Sequence, residues 1–143
     1  MPYEFLDDLA VADVQFRAWG RDLAEVFTAA ADATLNVMIR DLATIEPKES
    51  REIVLENEAL DLLLFDFLQE FVYHKDTEQL LLRATRVDIE ETDSHYRLRA
   101  TAAGERLDPS RHEQGADVKA VTLHRFSLER DEDGWTAYVI LDI

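Results

Sequence analysis

The chain of 143 residues carries 31 acidic against 15 basic side chains, a formal net charge of −16 at pH 7, and 47% of its residues are hydrophobic. This length and apolar content are typical of one folded domain and exclude global disorder, while the negative charge disfavours direct binding to nucleic-acid phosphates or to an anionic membrane surface. The absence of cysteine excludes disulfides and thiolate metal sites, and the absence of a signal peptide or a long apolar run predicts a soluble, cytoplasmic protein.

The first half of the chain predicts a strand, a helix and a second strand. Residues 13–19 alternate with a period of two, which is typical of a strand. Asp22, followed three residues later by Glu25, resembles a capping box at the start of a helix. Apolar residues at helical spacing extend this helix over 22–38. A short strand is then predicted over 51–55.

The second half predicts one helix and four strands. An apolar stripe from Leu60 to Val72 predicts a helix that is better buried than the first, because apolar residues extend beyond one face. After Leu80 the period changes to two, and the apolar phase shifts within the first of these strands, which indicates a bulge or a strand covered on both faces. The Asp-Gly pair in the turn 131–134 predicts a tight hairpin. The four predicted strands cover residues 80–90, 96–102, 118–128 and 135–143.

This order of elements predicts an α+β fold, in which two helices pack on one face of a largely antiparallel, mixed sheet. No linker, repeat or low-complexity stretch divides the chain, so we expect a single domain over residues 1–143. We expect Trp19 and Trp135 to be core residues of their strands.

Several common catalytic motifs are absent from the sequence. The four glycines cannot form a phosphate-binding loop, a dinucleotide fingerprint or a nucleophile elbow. The four histidines have no metal-ligand spacing, and His112, in the predicted loop 104–117, is expected to be solvated rather than functional. These absences disfavour an independent catalyst.

The end of the chain carries the most informative pattern. A strand pattern continues to the last residue, so we expect the Asp142 side chain and the Ile143 carboxylate to lie within a few ångströms of each other. Two negative charges at that distance repel by about 1–4 kcal/mol, depending on burial. A cationic group is therefore expected beside them.

The hairpin brings Lys119 to the same end of the sheet, because it begins the preceding strand. Lys119 is in phase with Val121 and Leu123, which we expect to share an apolar face of that strand. One interpretation is a structural ion pair between Lys119 and Asp142. The other adds a hard divalent cation, calcium or magnesium, held by carboxylates alone. Such a site needs a third carboxylate, and Asp13, Asp7 and Asp8 all remain candidates.

Three separated segments together resemble one known family, the archeases. These segments are Tyr3-Glu4-Phe5-Leu6-Asp7 leading to Ala12-Asp13-Val14 and Phe16-Arg17-Ala18-Trp19-Gly20, then Val118-Lys119-Ala120-Val121-Thr122, and finally Val139-Ile140-Leu141-Asp142-Ile143. The resemblance covers essentially the whole chain, including its acidity and the order of its elements.

The resemblance implies a function. Archeases are accessory proteins of the RtcB-type RNA ligase, which joins tRNA halves with GTP and manganese, and the family is not known as an enzyme in itself. They promote formation of the ligase–GMP intermediate and so allow multiple turnover. The family's metal site would correspond here to Asp13, Asp142 and Ile143. Calcium is the expected ion, and magnesium or manganese are the alternatives. The family's functional lysine would correspond to Lys119.

The chain departs from the family pattern at one point. Archeases commonly read Asp-His-Thr-Ala-Asp-Val, whereas here the stretch between Asp7 and Ala12-Asp13-Val14 is two residues longer and lacks the histidine and threonine. The longer stretch leaves Asp8 as a candidate additional ligand.

The sequence therefore supports one leading hypothesis and two others. The leading hypothesis is a non-catalytic activator of the ligase, which acts in tRNA splicing or RNA repair and binds a protein partner rather than nucleic acid or membrane. The alternative is a metal-dependent phosphoesterase that uses the same carboxylates, with Lys119 or His112 assisting. A general chaperone-like module is the third class, although the sequence has no large exposed apolar stretch.

Overall fold

The computed structural model describes residues 2–6 and 13–143 and has the predicted α+β class. Its helices are α1 (Leu23–Met38) and α2 (Leu60–Glu78), with a short 3-10 turn at Leu42–Thr44. In this described part, neither helix is long and apolar enough to cross a membrane. The strands are β1 (Tyr3–Leu6), β2 (Asp13–Gly20), β3 (Glu49–Asn57), β4 (Leu80–Glu91), β5 (Tyr96–Arg106), β6 (Ala120–Asp131) and β7 (Gly134–Asp142).

The strands form two sheets. The four-stranded sheet has the order β1-β2-β7-β6, and the three-stranded sheet has the order β3-β5-β4. Every neighbouring pair in both sheets is antiparallel. The sequence pattern predicted one sheet, because period-two alternation identifies a strand but not the strands that pair with it.

Helix α1 joins the two sheets, because it contacts β2 and β7 on one side and β4 on the other. Asp22 caps the helix by accepting the N–H of Glu25 at 2.9 Å, as the capping box predicts. The Glu25 carboxylate, however, accepts the N–H of Arg21 rather than that of Asp22. Nine of the 16 residues of α1 are buried, against six of the 19 in α2. The prediction that α2 is the better buried helix was wrong, because the alanine-rich α1 packs closely against both sheets.

Two strands carry bulges. In β4 the register shifts between Ala84 and Arg86, which confirms the bulge predicted from the phase shift. In β6 the shift is larger, because residues 123–126 lie opposite the single residue Val139 of β7. This β6 bulge leaves Leu123 57% exposed, so the expectation that Leu123 shares a buried face with Val121 was wrong.

The loop from β5 to β6 is fixed by a buried hydrogen bond between His112 and Glu105. His112 and Glu105 are only 1% and 4% exposed, so the expectation of a solvated His112 was wrong. The N–H of Asp108 donates to His112 Nδ1 at 2.8 Å, which leaves Nε2 to carry the proton and donate to Glu105 Oε2 at 3.0 Å. Glu105 also accepts the N–H of Glu46 at 2.7 Å and pairs with the Arg111 guanidinium.

These contacts determine the protonation state of Glu105. Burial raises the pKa of its carboxyl, but hydrogen bonds from the Glu46 N–H, His112 and Arg111 outweigh burial and lower the pKa from 4.5 to about 2. The carboxylate therefore stays ionised in the folded protein and ties together the loop that leads to Lys119.

Replacing Glu105 by glutamine tests this network. We expect Glu105→Gln to lower the free energy of unfolding by about 2–4 kcal/mol, because the Glu46 N–H, the buried His112 ring and the Arg111 guanidinium lose their charged acceptor. Urea unfolding at pH 7 measures the loss. Glu113→Gln is the matched control, because Glu113 lies in the same loop and, among the described residues, its exposed side chain pairs only with Arg40. The substitution keeps the Glu113 carbonyl, which accepts the Arg40 N–H, and should change the stability by no more than about 0.5 kcal/mol.

The same variant gives a pH test. A carboxyl with a lowered folded-state pKa stabilises the fold fully above its unfolded pKa near 4.5, and this stabilisation is lost as the pH falls toward 2. The stability difference between the parent and Glu105→Gln should therefore shrink from pH 5 to pH 2.5. A difference independent of pH over that range would contradict an ionised Glu105.

Candidate functional site

The predicted carboxylates meet at one end of the four-stranded sheet. Strand β7 lies between β2 and β6, and Asp142 is the register partner of Asp13 on one side and of Ala120 on the other. Directly opposite residues of antiparallel strands share a face, with Cβ atoms about 4.5–5.5 Å apart. The side chains of Asp13 and Asp142 are therefore neighbours on one face.

Lys119 is joined to this end through the backbone. Its N–H donates to the Asp142 carbonyl at 2.8 Å, immediately before Ala120 begins β6. Its side chain is exposed, and no ion pair of 4.0 Å or less joins its ammonium to a carboxylate of residues 2–6 or 13–143. The structural ion pair between Lys119 and Asp142 that the sequence suggested is thus not formed among these residues.

Contacts on both faces of β7 fix the strand that carries Asp142. Its alternate residues Ala137, Val139 and Leu141 are fully buried in the core, as the period-two pattern predicted. On the other face, the Tyr138 hydroxyl donates to Gln15 Oε1. The end of β7 is therefore positioned from both faces before any ligand is bound.

Gln15 is a neighbour of the site that no sequence motif indicates. It lies two residues after Asp13, on the same face of β2, and it is buried although polar. The period-two pattern does place Gln15 on the same strand face as Asp13. Nothing in the sequence, however, indicates that Tyr138 is its hydrogen-bond partner.

The donors at this end suit a hard cation. Asp13 and Asp142 supply only carboxylate oxygens, which calcium and magnesium prefer. Within the described ranges no group of three or more His, Asp or Glu side chains is arranged to hold a metal ion. Among the described residues, the candidate for a third donor is the terminal carboxylate of Ile143, which directly follows Asp142. The candidates Asp7 and Asp8 lie outside the described residues.

His112 does not supply a general acid. One of its ring nitrogens accepts the Asp108 N–H and the other donates to Glu105, so both are engaged inside the loop. A phosphoesterase mechanism that uses this ring would first have to break the buried network.

Comparison with known proteins gives the same assignment as the motifs. The sequence pattern that defines the Archease protein family matches residues 3–143. The chain belongs to the archease family. It is 41% identical to "Protein archease" of Pyrococcus abyssi, over 92% of this chain and 93% of that protein. It is also 41% identical to the archease of Methanothermobacter thermautotrophicus, over 99% and 98% of the two chains.

Solved archease structures have the same fold. The solution structure of Methanobacterium thermoautotrophicum protein 1598 superposes with a TM-score of 0.85 at 37% identity, covering 99% of both chains. The crystal structure of a Thermotoga maritima archease, described as a possible chaperone, gives a TM-score of 0.59 at 19% identity, covering 94% of this chain and 93% of that one. The second likeness shows the fold alone.

The facing carboxylates predict a measurable repulsion. With EDTA present, Asp13→Asn should raise the free energy of unfolding by about 0.5 kcal/mol at low salt, because like charges directly opposite on paired strands destabilise. The gain should fall at 1 M salt, where the screening length is about 3 Å. Urea unfolding at both salt concentrations measures it.

Glu129→Gln is the control for this experiment. It removes the same charge from β6, where Glu129 faces Thr136 rather than an acid. A loss of stability in Asp13→Asn without metal would show that the two carboxylates do not repel each other in the folded protein.

Proposed function

We propose that this archease is a non-catalytic activator of an RtcB-type GTP-dependent RNA ligase and that it promotes guanylylation and multiple turnover of the ligase. The observation that carries the proposal is the pair Asp13 and Asp142, which lie opposite each other at the end of β7. The family assignment supplies the partner, and the site supplies the group that would act on it.

The proposed metal site consists of Asp13, Asp142 and the Ile143 carboxylate. Without a cation, two facing carboxylates would repel at the end of a rigid strand, which supports a divalent ion such as calcium there. When bound, that ion would offset most of the negative charge of the three carboxylates and could accept phosphate oxygens as further ligands. The chain's own residues hold the donors in place through β2 and β7.

Charge supports the encounter with the partner. A ligase surface that holds RNA ends must be basic, and a net charge of −16 would attract it over the range of the screening length. The same charge disfavours direct contact between this protein and the RNA.

Lys119 has a separate proposed role. An ammonium gains little beside a divalent cation, because the like charges repel and weaken metal binding. Its exposed side chain is better explained by an anion that arrives with the partner, such as a nucleotide phosphate or an acidic side chain of the ligase.

RNA ligation by the cognate ligase tests the proposal. With RNA in molar excess, the ligase alone should stop after few turnovers, and added archease should restore continued turnover and raise the yield of ligase–GMP. The protein with metal and nucleotide alone should release no phosphate. Phosphate release without ligase would favour the phosphoesterase instead, and equal rescue of unrelated unfolded proteins would favour a general chaperone.

A lengthened C-terminus tests the metal donors. Two residues appended after Ile143 convert its carboxylate into a neutral amide, so calcium affinity measured by calorimetry should fall at least about tenfold, as for loss of a charged ligand. Ile143→Val, which keeps the terminal carboxylate, should bind calcium like the parent. Equal affinities in all three proteins would remove Ile143 from the site.

Substitution of Lys119 separates function from folding. We expect Lys119→Ala to melt near the parent temperature and to bind calcium as well as the parent or better, because one like charge is removed. It should nevertheless fail to stimulate guanylylation of the ligase. Arg86→Ala removes a positive charge from the three-stranded sheet and should stimulate normally. Full stimulation by folded Lys119→Ala would refute a functional role for this lysine.

A further inference from the structure

A second site of interest lies at the opposite end of the four-stranded sheet. There, beyond the partners Gly20 and Trp135, a cleft of about 800 Å³ opens. Its walls come from Trp19 and Trp135, the first turns of α1, the β4 bulge and the turn between β6 and β7. We call it the indole cleft. Its volume lies within the range of small-molecule sites.

The apolar wall of the indole cleft is formed by two tryptophan side chains that are partly exposed. Trp19 is 38% exposed although the sequence pattern places it in a strand, so the expectation of a core residue was wrong for this indole. Trp135 is half-buried and lies partly against the core. The Arg130 guanidinium carbon lies 5.8 Å from the centre of the Trp135 ring, so this indole already accepts a cation over its face.

The charges of the cleft are only partly compensated. Among the described residues, three cations at or beside it are paired with acids: Arg21 with Glu25 at 3.3 Å, Arg83 with Asp32 at 3.2 Å and Arg86 with Asp88 at 2.9 Å. A fourth cation, Arg130, makes no ion pair with the described residues and lies over the Trp135 ring. Three lining carboxylates, Asp22, Asp131 and Asp133, have no cation within 4.0 Å in the part of the chain described. The cleft therefore has two indoles and three unpaired carboxylates along its rim, and with the unpaired Arg130 beside Trp135 the net charge there is about −2.

We propose that the indole cleft binds a small organic cation with a flat apolar body. The body would pack against Trp19 and Trp135, and the positive group would lie toward Asp22, Asp131 and Asp133. An anionic ligand would meet the uncompensated carboxylates, and a neutral one would leave them uncompensated. This inference is independent of the ligase, because the cleft and Asp142 lie at opposite ends of β7.

The sequence provides a direct reporter for this proposal. The chain contains two tryptophans, and both line the cleft, so intrinsic fluorescence reports on it specifically. Benzamidine is the probe, and benzamide is its neutral counterpart of nearly the same shape. We expect benzamidine to change the tryptophan emission saturably at millimolar concentration. Benzamide should bind at least about fivefold more weakly, as for loss of a cation–π contact and of attraction to the rim.

Charge-removing variants locate the binding. Asp133→Asn is the first choice, because its carboxylate makes no hydrogen bond within the described residues. Asp22→Asn is the second, because asparagine caps a helix as well as aspartate does. The double variant should bind benzamidine at least about threefold more weakly. Glu132→Gln removes one charge from the same turn but does not line the cleft, and it should bind like the parent.

The proposal has clear contrary outcomes. Absence of a saturable fluorescence change, equal binding of benzamide, or unchanged affinity in the folded double variant would each overturn it. If Asp22→Asn fails to fold, Asp133→Asn alone still removes a charge from the rim and serves as the test variant. Calcium titration of the same variants should be unchanged, since their substitutions lie far from Asp142.

Discussion

Strand β7 is paired on both sides, with β2 and with β6, and this double pairing determines where the candidate site residues meet. The first residue of β2 and the last residue of β7 come into register only because the two strands run antiparallel over their whole shared length. The start of β6 arrives at the same end by the same rule. A shift of one residue between β2 and β7 would turn Asp142 away from Asp13. The core contacts of Val139 and Leu141 prevent such a shift. The packing that fixes the register of β7 therefore also fixes the position of the two carboxylates.

Local patterns in the sequence predicted most elements and part of the site. The capping residue Asp22, the period-two strands and the Asp-Gly turn all act over a few residues, and each appears in the structure near the predicted place. The hairpin alone indicated that Lys119 and Asp142 share one end of the sheet. The pairing of Asp13 with Asp142 joins residues 129 positions apart, and no local pattern indicates such a partner. That part of the site came from family resemblance, and the register now supplies its geometry.

Two errors concern the burial of single side chains, His112 and Leu123. His112 was expected in solvent because loop histidines usually are, yet Glu105 and Asp108 satisfy both of its ring nitrogens and allow full burial. Leu123 was placed on a buried face because a regular strand was assumed, and the β6 bulge breaks that regularity. In each case the outcome depended on a contact or an inserted residue that alternation of polar and apolar residues does not encode.

The β6 bulge also affects how copies of this protein meet. Strand β6 is an edge of the four-stranded sheet, and a straight edge offers a row of N–H and C=O groups to which a strand of another molecule can add. Here the side-chain amide oxygen of Gln69 in α2 already accepts the Val121 N–H, and residues 123–126 then interrupt the row, with Arg125 at a φ of 55°. An incoming strand would find only short stretches in register on either side of the interruption. The irregularity that removes Leu123 from the core thus also protects this edge of the sheet from intermolecular strand addition, which is a hazard for any protein with an open antiparallel sheet.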